Sequence, residues 1–220
     1  FDSIHGYIPY TNVEIKFMDN KWVKRLKRIK QLGLVDHVFP SASHNRFEHS
    51  VGVSYLGEYY IEHLMKNSRN FRPSEMDKLC VKLAGLFHDL GHGPFSHVFD
   101  NVVLPKSSIV HEMRSRNIVE YIFKDVGTQP GLSSAYMIDT IKEMIEPLNY
   151  HNNVIYDIVN NTKTKIDVDK LDYLQRDSNH IGLDYSYHYG RLFNKSYIVE
   201  NEFTHSIVLP LDVPFFYAED

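Results

Sequence analysis

Apolar side chains recur every three or four residues along most of this chain, and this spacing constrains the fold more than any other feature of the sequence. In the clearest case, Ser74 and Asp77 form the pattern of a capping box, which opens a helix by satisfying its first backbone N–H groups. The apolar positions that follow are Leu79, Leu83, Leu86 and Phe87. A stripe of this kind buries one face of a helix against its neighbours, and Gly91 marks the expected end. The spacing therefore predicts a bundle of packed helices.

The same pattern predicts the other elements of the chain. A helix over residues 19–31 is capped by Asp19 or Asn20, and a loop over 39–45 separates it from a long helix over 46–66. Further helices are predicted at 111–124, 133–146, 152–160 and 168–178. Only the segment from Tyr197 to Leu209 alternates as a β-hairpin would. The predicted fold class is all-α, with a small C-terminal β-hairpin.

Length and composition exclude several classes of protein. The 220 residues are 43% hydrophobic and 24% charged, which allows a full-sized core and argues against a disordered or fibrous chain. The net charge of -4 gives no overall attraction to nucleic acid or to anionic membranes. Cys80 is the single cysteine, so an intrachain disulfide is excluded. The sequence has neither an apolar run of about 20 residues nor the order of a signal peptide, which predicts the cytoplasm or nucleus rather than secretion or a membrane.

Basic residues occupy the other face of the helix predicted over 19–31. They are Lys21, Lys24, Arg25, Lys27, Arg28 and Lys30. A run of this kind usually forms a solvated helix face, and otherwise it holds phosphate groups. Under both interpretations these side chains are expected to point away from the core.

The densest group of polar residues lies between residues 85 and 97, beside an apolar helix. Its members are His88, Asp89, His92 and His97. Burying such groups costs several kcal/mol unless each is paired or metal-bound, and imidazole and carboxylate suit Fe, Mn, Co or Zn. Neighbouring helix residues point about 100° apart, so His88 and Asp89 can share an ion only if other elements complete the site. The candidates are His49 on the preceding helix and a carboxylate within 165–173.

A His-Asp pair alone is a weak signal, because a lone buried histidine is more often hydrogen-bonded than metal-bound. The order strengthens the prediction: His49, then His88 and Asp89, then Asp169, each on its own predicted helix. This order is the ligand pattern of the HD superfamily of metal-dependent phosphohydrolases. Residues 39–50, 85–97 and 166–170 also resemble the animal deoxynucleoside triphosphate triphosphohydrolases that carry sterile-alpha-motif and HD domains.

The resemblance begins at Asp2 and extends at least to about Arg191. It implies an HD phosphohydrolase domain over residues 1–195, built as an HD-domain helical bundle, and a hairpin with an extended tail over 196–220. The implied reaction is metal-dependent hydrolysis of a dNTP to deoxynucleoside and inorganic triphosphate. Two alternatives stay open, a catalytically weak nucleotide-binding or regulatory module and a general HD nucleotidase or phosphodiesterase.

The resemblance also implies roles for individual residues. The metal, Fe, Mn or Zn, would be held by His49, His88, Asp89 and Asp169, and Mg could accompany the triphosphate. The implied catalytic residues are His97 as general acid, His92 and His111 for phosphate binding or proton relay, and Asp100 and Glu112 to orient those rings. Without the resemblance, His111 and Glu112 read equally well as an ordinary helix N-terminus.

The substrate-binding residues are implied in the same way. They are Arg46 and Lys170 for the triphosphate, Tyr173 and Leu32 against the deoxyribose, and Gln31 and Asp177 near the sugar. A tyrosine packed where a ribose 2′-hydroxyl would lie rejects ribonucleotides by shape and by leaving a polar group unpaired. Without the resemblance, Tyr173 and Leu32 would be interpreted as core residues.

The chain departs from the family in two respects. Asp19 matches one residue of a nucleotide-activator site, whereas Lys24 and Lys27 stand where the family has Gln and Arg. The family also continues into a helical lobe that adds phosphate-binding residues and builds an oligomer. The sequence therefore predicts a fragment with weak activity alone, which associates with itself through exposed apolar segments such as residues 209–217.

Overall fold

The structure, a computed structural model, describes residues 1–96, 98–104, 109–127, 134–148, 151–183, 189–200 and 205–209. Its helices are α1 (Asn12–Met18), α2 (Lys21–Arg25), α3 (Arg46–Asn67), α4 (Glu75–Phe87), α5 (His111–Val126), α6 (Ser134–Ile145), α7 (Val168–His180) and α8 (Tyr189–Lys195). Strands β1 (Tyr197–Glu200) and β2 (His205–Val208) form an antiparallel hairpin. The predicted all-α class with a small hairpin is confirmed.

Helix α3 is central to the packing. It lies against α4, α7 and α8, while α6 packs on α4 and α5. A Cβ atom on Gly85 would lie 2.9 Å from the backbone N of Ser54, so only glycine lets α4 approach α3 this closely. This close crossing brings the end of α4 next to the first turn of α3.

Helix α3 begins at Arg46 because Asn45 caps it. The Asn45 side chain accepts hydrogen bonds from the backbone N–H groups of Phe47 and Glu48. The same segment cuts short the helix predicted over 19–31. Helix α2 ends at Arg25, a 3₁₀ turn covers Leu26–Arg28, and Lys30 pairs with Asn45 through an isolated β-bridge. Pairing with the loop before α3 overrides the helical spacing of residues 26–31.

Four other elements differ from the prediction. Helices α1 and α8 were not predicted, although Thr11 and Glu14 form a capping box that signals the start of α1. Residues 152–160 contain a 3₁₀ turn at Val154–Asp157 rather than a full helix. Helix α4 ends at Phe87, before the expected Gly91, because the backbone then forms tight turns. His88 is the C-cap with helical backbone angles, and Asp89 follows it in the first of these turns.

The hairpin pairs Ile198 with Ile207, and β1 also contacts α3. Residues 201–204 and 210–220 lie outside the described part, so the boundary between 1–195 and 196–220 stays a prediction, as does the association through 209–217. Among the helices described, none combines the length and the apolar character needed to cross a membrane.

Candidate metal centre

Three helices bring the four predicted metal ligands together. His49 lies in the first turn of α3, His88 and Asp89 follow the end of α4, and Asp169 lies in the first turn of α7. The Nε2 atom of His49 is 2.9 Å from Asp169 Oδ1 and 3.2 Å from His88 Nε2. His88 Nε2 is in turn 3.4 Å from an oxygen of Asp89 and 3.4 Å from Asp169 Oδ1.

A hydrogen bond on the far side of each ring determines which nitrogen faces the centre. His88 Nδ1 donates to the carbonyl oxygen of Gly85 at 2.7 Å, and His49 Nδ1 donates to Asp172 Oδ2 at 2.7 Å. In the neutral rings, both Nε2 lone pairs therefore point into the same space. Two lone pairs and two carboxylates converging there repel one another unless a cation lies between them. This donor set fits a divalent transition metal.

The raised pKa values of His49 and His88 also indicate that the centre favours a positive charge. Burial disfavours the charged ring of His49, but hydrogen bonds to Asp169 and Asp172 outweigh this effect and raise its pKa to about 10. Burial also opposes protonation of His88, yet the charges of Asp89 and Asp169 raise its pKa. At neutral pH the centre therefore attracts a cation, either a metal ion or a proton.

Metal affinity is therefore expected to increase with pH. Because the pKa of His49 is raised to about 10, its ring is protonated at pH 7 and loses that proton only as the pH rises through 10. A metal must displace this proton, so the association constant for Co²⁺ should rise by up to about tenfold per pH unit between pH 7 and 9. Calorimetric titration in buffers of different ionisation enthalpy should count about one proton released per metal at pH 7. Metal uptake without proton release would contradict this expectation.

Arg46 is buried beside the centre rather than open to solvent. Its guanidinium forms an ion pair with Asp89 through Nη1, and its Nε donates to Ser96 Oγ at 2.8 Å. Phe95 and Ser96 both adopt left-handed backbone angles, with φ of 63° and 53°, which costs a non-glycine residue about 1–2 kcal/mol. The strained turn and the hydrogen bond from Arg46 thus hold the two residues that directly precede His97. His97 itself lies outside the described residues.

A second pair of histidines lies next to the centre. The rings of His92 and His111 stack at 3.8 Å, and His92 Nε2 is 3.3 Å from Asp89 Oδ1. Asp100 and Glu112 flank the His111 ring at 3.5 Å and 3.3 Å. Burial outweighs the attraction of Asp89 and lowers the pKa of His92 to about 4, so this ring is neutral at pH 7. The pair can hydrogen-bond an oxygen of a substrate, and its catalytic role stays a prediction.

Helix α7 carries several of the predicted substrate-binding residues. Asp169, Tyr173 and Asp177 follow one another at intervals of four and therefore share one face of the helix. The Tyr173 ring lies 6.5 Å from the His49 ring, between centroids. Lys170 is half-buried beside Asp169 in the first turn. This face places the predicted sugar contact Tyr173 next to the predicted metal ligands His49 and Asp169, and the predicted phosphate contact Lys170 is adjacent to Asp169 in the sequence.

Gln31 and Asp177 come together through His44. The backbone N of Gln31 donates to the carbonyl oxygen of His44 at 3.0 Å, and His44 Nε2 lies 2.7 Å from Asp177 Oδ1. Leu32 follows Gln31 and is half-buried. The sequence analysis placed His44 in a loop and gave it no role. Its position was a usable signal, because it directly precedes the helix cap Asn45 and the charged first turn of α3.

Two further groups differ from expectation. Arg25 was expected on a solvated face, and this prediction was wrong, because its Nη2 donates to the carbonyl oxygens of Leu90 and His92 at 2.6 and 2.8 Å. Asp172, which had no predicted role, is fully buried and accepts from His49. Its spacing of four residues from Arg176 on α7 is the signal that could have identified it.

At the candidate activator site, the negative charge of Asp19 is partly neutralised by an ion pair with Lys24. Lys24 Nζ lies 3.0 Å from Asp19 Oδ1, and both side chains are exposed. Lys27 Nζ lies 4.4 Å from the centre of the Phe47 ring, a cation–π contact. An activator at this site stays a prediction.

Comparison with known proteins gives a consistent result. The model of the family described as "HD domain" matches residues 46–177, which include all four predicted metal ligands. Relatives named deoxynucleoside triphosphate triphosphohydrolase SAMHD1 are 38% identical in human and 37% identical in mouse, over 90% and 92% of this chain. A homologue from Dictyostelium discoideum is 36% identical over 91% of the chain. The matches cover 36%, 34% and 40% of those proteins, so the chain spans well under half of their length.

Proposed function

This chain belongs to the HD-domain family, and we propose that it hydrolyses deoxynucleoside triphosphates, with a divalent metal, to deoxynucleoside and inorganic triphosphate. One observation carries the proposal: two imidazoles and two carboxylates converge on one space where three helices meet, next to a stacked histidine pair. The substrate is inferred from the relatives named deoxynucleoside triphosphate triphosphohydrolase, whose similarity extends over about nine tenths of the chain.

In the proposed mechanism, the metal would be held by His49, His88, Asp89 and Asp169. A bound divalent metal would acidify the attacking water and neutralise charge that develops on the phosphoryl oxygens. Arg46 fixes the carboxylate of Asp89 through their buried ion pair. Water attacks the α-phosphorus, and the bond between this atom and the sugar 5′ oxygen breaks.

Proton supply is the second requirement of the reaction. The sugar 5′ oxygen is a poor leaving group, and a proton must reach it as the bond breaks. His97 is proposed to donate that proton. His92 and His111, stacked beside Asp89, are proposed to hydrogen-bond phosphate oxygens or to relay protons. The low pKa of His92 suits a neutral hydrogen-bonding role at pH 7.

Changing His97→Ala should separate proton transfer from metal binding. The variant is expected to keep its metal and to lose about 10²–10⁴-fold in turnover, the usual contribution of general-acid catalysis. Steady-state rates and metal content are measured on the same preparation. A loss of less than about tenfold would move the general-acid role to His92 or His111.

Product analysis tests the proposed function directly. The protein is incubated with Mn²⁺ and each dNTP, and the products are separated by anion-exchange chromatography. Deoxynucleoside with intact triphosphate is the expected result, whereas a nucleoside monophosphate with pyrophosphate would indicate a general HD nucleotidase or phosphodiesterase.

ATP serves as the comparison substrate, because Tyr173 and Leu32 are proposed to exclude a 2′-hydroxyl. Equal kcat/KM for dATP and ATP would contradict that exclusion.

One observation favours a second candidate, a nucleotide-binding module with slow turnover. A triphosphate carries about four negative charges at neutral pH, and of the two predicted cationic contacts Arg46 is already paired with Asp89. A loosely held α-phosphorus costs rate, since a misplacement of about 1 Å can cost on the order of 100-fold. Equilibrium dialysis with dNTP beside the product assay distinguishes the two candidates, because tight binding without products supports the module.

A further inference from the structure

A buried polar network lies behind the predicted metal ligand His49. Asp172 is fully buried on α7, and both oxygens of its carboxylate are used. Oδ2 accepts from His49 Nδ1 at 2.7 Å and from Arg176 Nε at 2.8 Å. Oδ1 accepts from His5 Nε2 at 2.6 Å and from Arg176 Nη2 at 3.0 Å. The carboxylate that orients His49 is therefore itself held by two other residues.

His5 belongs to a tight turn at the start of the chain. Asp2 and Gly6 close this turn with two backbone hydrogen bonds of 2.7 and 2.9 Å. Asp2 Oδ1 also accepts from the backbone N–H groups of Ile4 and His5, both at 2.9 Å. The turn thus has its own internal hydrogen bonds, which hold the backbone that carries His5.

The turn enters the network at two points. The carboxylate of Asp2 pairs with Arg176, at 3.0 Å to Nη1 and 3.2 Å to Nη2. The other contact is His5 on Asp172, and the His5 Nδ1 atom in turn faces the hydroxyl of Tyr189 at 3.3 Å. The side chains of His5, Asp172 and Arg176 all have 0% exposure. Buried charges of this kind are costly unless every partner is present, so removing one disturbs the rest.

The network packs closely against helix α3. A Cβ atom on Gly52 would lie 2.0 Å from Asp172 Oδ1 and 2.4 Å from Arg176 Nη2. Asp172 and Arg176 therefore pack directly on the backbone of the helix that carries His49. The position of the Asp172 carboxylate depends on its hydrogen bonds, and His5 supplies one of them from outside the helices.

We propose that the turn formed by residues 2–6 is a positioning element of the metal centre. By donating to Asp172 Oδ1, His5 keeps Asp172 Oδ2 on the Nδ1–H of His49, which keeps the His49 Nε2 lone pair directed at the metal. This inference rests on the proposed metal site at His49. Asp2 holds Arg176 and the backbone of His5, and so supports the same arrangement.

Cobalt binding tests the proposal without relying on turnover. His5→Ala removes the hydrogen bond to Asp172. Loss of a ligand's direct partner typically lowers metal affinity by about 10–100-fold, so loss of His5, which acts through Asp172, is expected to lower it by about tenfold. His5→Gln places an amide N–H the same number of bonds from Cβ as Nε2 and should restore most of the affinity. His5→Asn is too short to reach Asp172 and should not. His63→Ala is the matched control, since the hydrogen bond of His63 goes to the carbonyl oxygen of Tyr59 within its own helix and not to the Asp172 network.

Affinity for Co²⁺ is measured by competition with a chelator, and the visible spectrum of bound Co²⁺ reports the ligand geometry. We expect the wild type, His63→Ala and His5→Gln to bind Co²⁺ with similar affinity. His5→Asn and His5→Ala should bind it more weakly and show altered cobalt absorption bands. Equal affinity and spectra in all folded variants would overturn the proposal. So would His5→Ala and His5→Asn variants that fail to fold, because the role of the turn would then be structural. Wild-type protein that binds no Co²⁺ would instead refute the proposed metal site, and this inference with it.

Discussion

Replacing both His88 and Asp89 with alanine is expected to abolish metal binding, from about one metal per chain to none, and to lower hydrolysis by at least about 10³-fold. The change removes two of the four donors that converge at the centre. The remaining donors, His49 and Asp169, lie 2.9 Å apart and can then form a simple ion pair. The rate estimate follows because a metal supplies several kcal/mol and each 1.36 kcal/mol is tenfold.

Metal content per chain is measured by mass spectrometry on dialysed protein. The pair Glu62→Ala and His63→Ala is the matched control, since it also removes one acid and one histidine that are adjacent in the sequence. These residues lie on α3 about 20 Å from His49, estimated from the rise of a helix. Equal metal content in the His88/Asp89 variant and in this control would contradict a metal site at these residues.

The second large effect is expected from Gly52→Ala, which should lower the free energy of unfolding by about 3 kcal/mol. The new Cβ would lie 2.0 Å from Asp172 Oδ1 and 2.4 Å from Arg176 Nη2, and both side chains are fully buried. Alanine gains about 0.5–1 kcal/mol over glycine within a helix, which is smaller than the cost of displacing a buried ion pair. Urea unfolding followed by circular dichroism measures the difference.

Gly190→Ala provides the comparison for this experiment. Gly190 lies in α8, and a Cβ atom there would meet nothing within 4 Å. This variant is expected to be neutral or slightly stabilising, because it gains the helix preference without a clash. If the Gly52→Ala variant proved as stable as the Gly190→Ala variant, this result would contradict the close packing of Asp172 and Arg176 against α3.

The proposed metal ligands could be picked out from the sequence because they lie near the ends of predicted helices and in the order typical of the HD superfamily. His49 lies just after the helix cap Asn45, and His88 and Asp89 end an apolar helix. The long helices were predictable for the same reason, since α3 to α7 carry strong caps or amphipathic faces. Local patterns therefore predicted the elements and the candidate ligands at their ends, and the role of those ligands stays a proposal.

The contacts that support the ligands could not be predicted in the same way. His5 and Asp172 meet across 167 residues of sequence, and a polar residue on a helix ordinarily faces solvent. Arg25 resembled its exposed basic neighbours, yet it binds the carbonyl oxygens of Leu90 and His92. The helix predicted over 19–31 ended early because Lys30 pairs with Asn45. In each case a contact between distant segments decided the outcome, and single-sequence patterns do not contain that information.

Anomalous diffraction from crystals grown with Zn²⁺, collected at the zinc absorption edge, is the most direct test of the metal centre. The expected map has one strong peak per chain, about 2.0–2.2 Å from His49 Nε2, His88 Nε2 and one oxygen each of Asp89 and Asp169. A map with no peak among these four residues, or with its strongest peak on other side chains, would contradict the proposed site and the metal-dependent hydrolysis inferred from it.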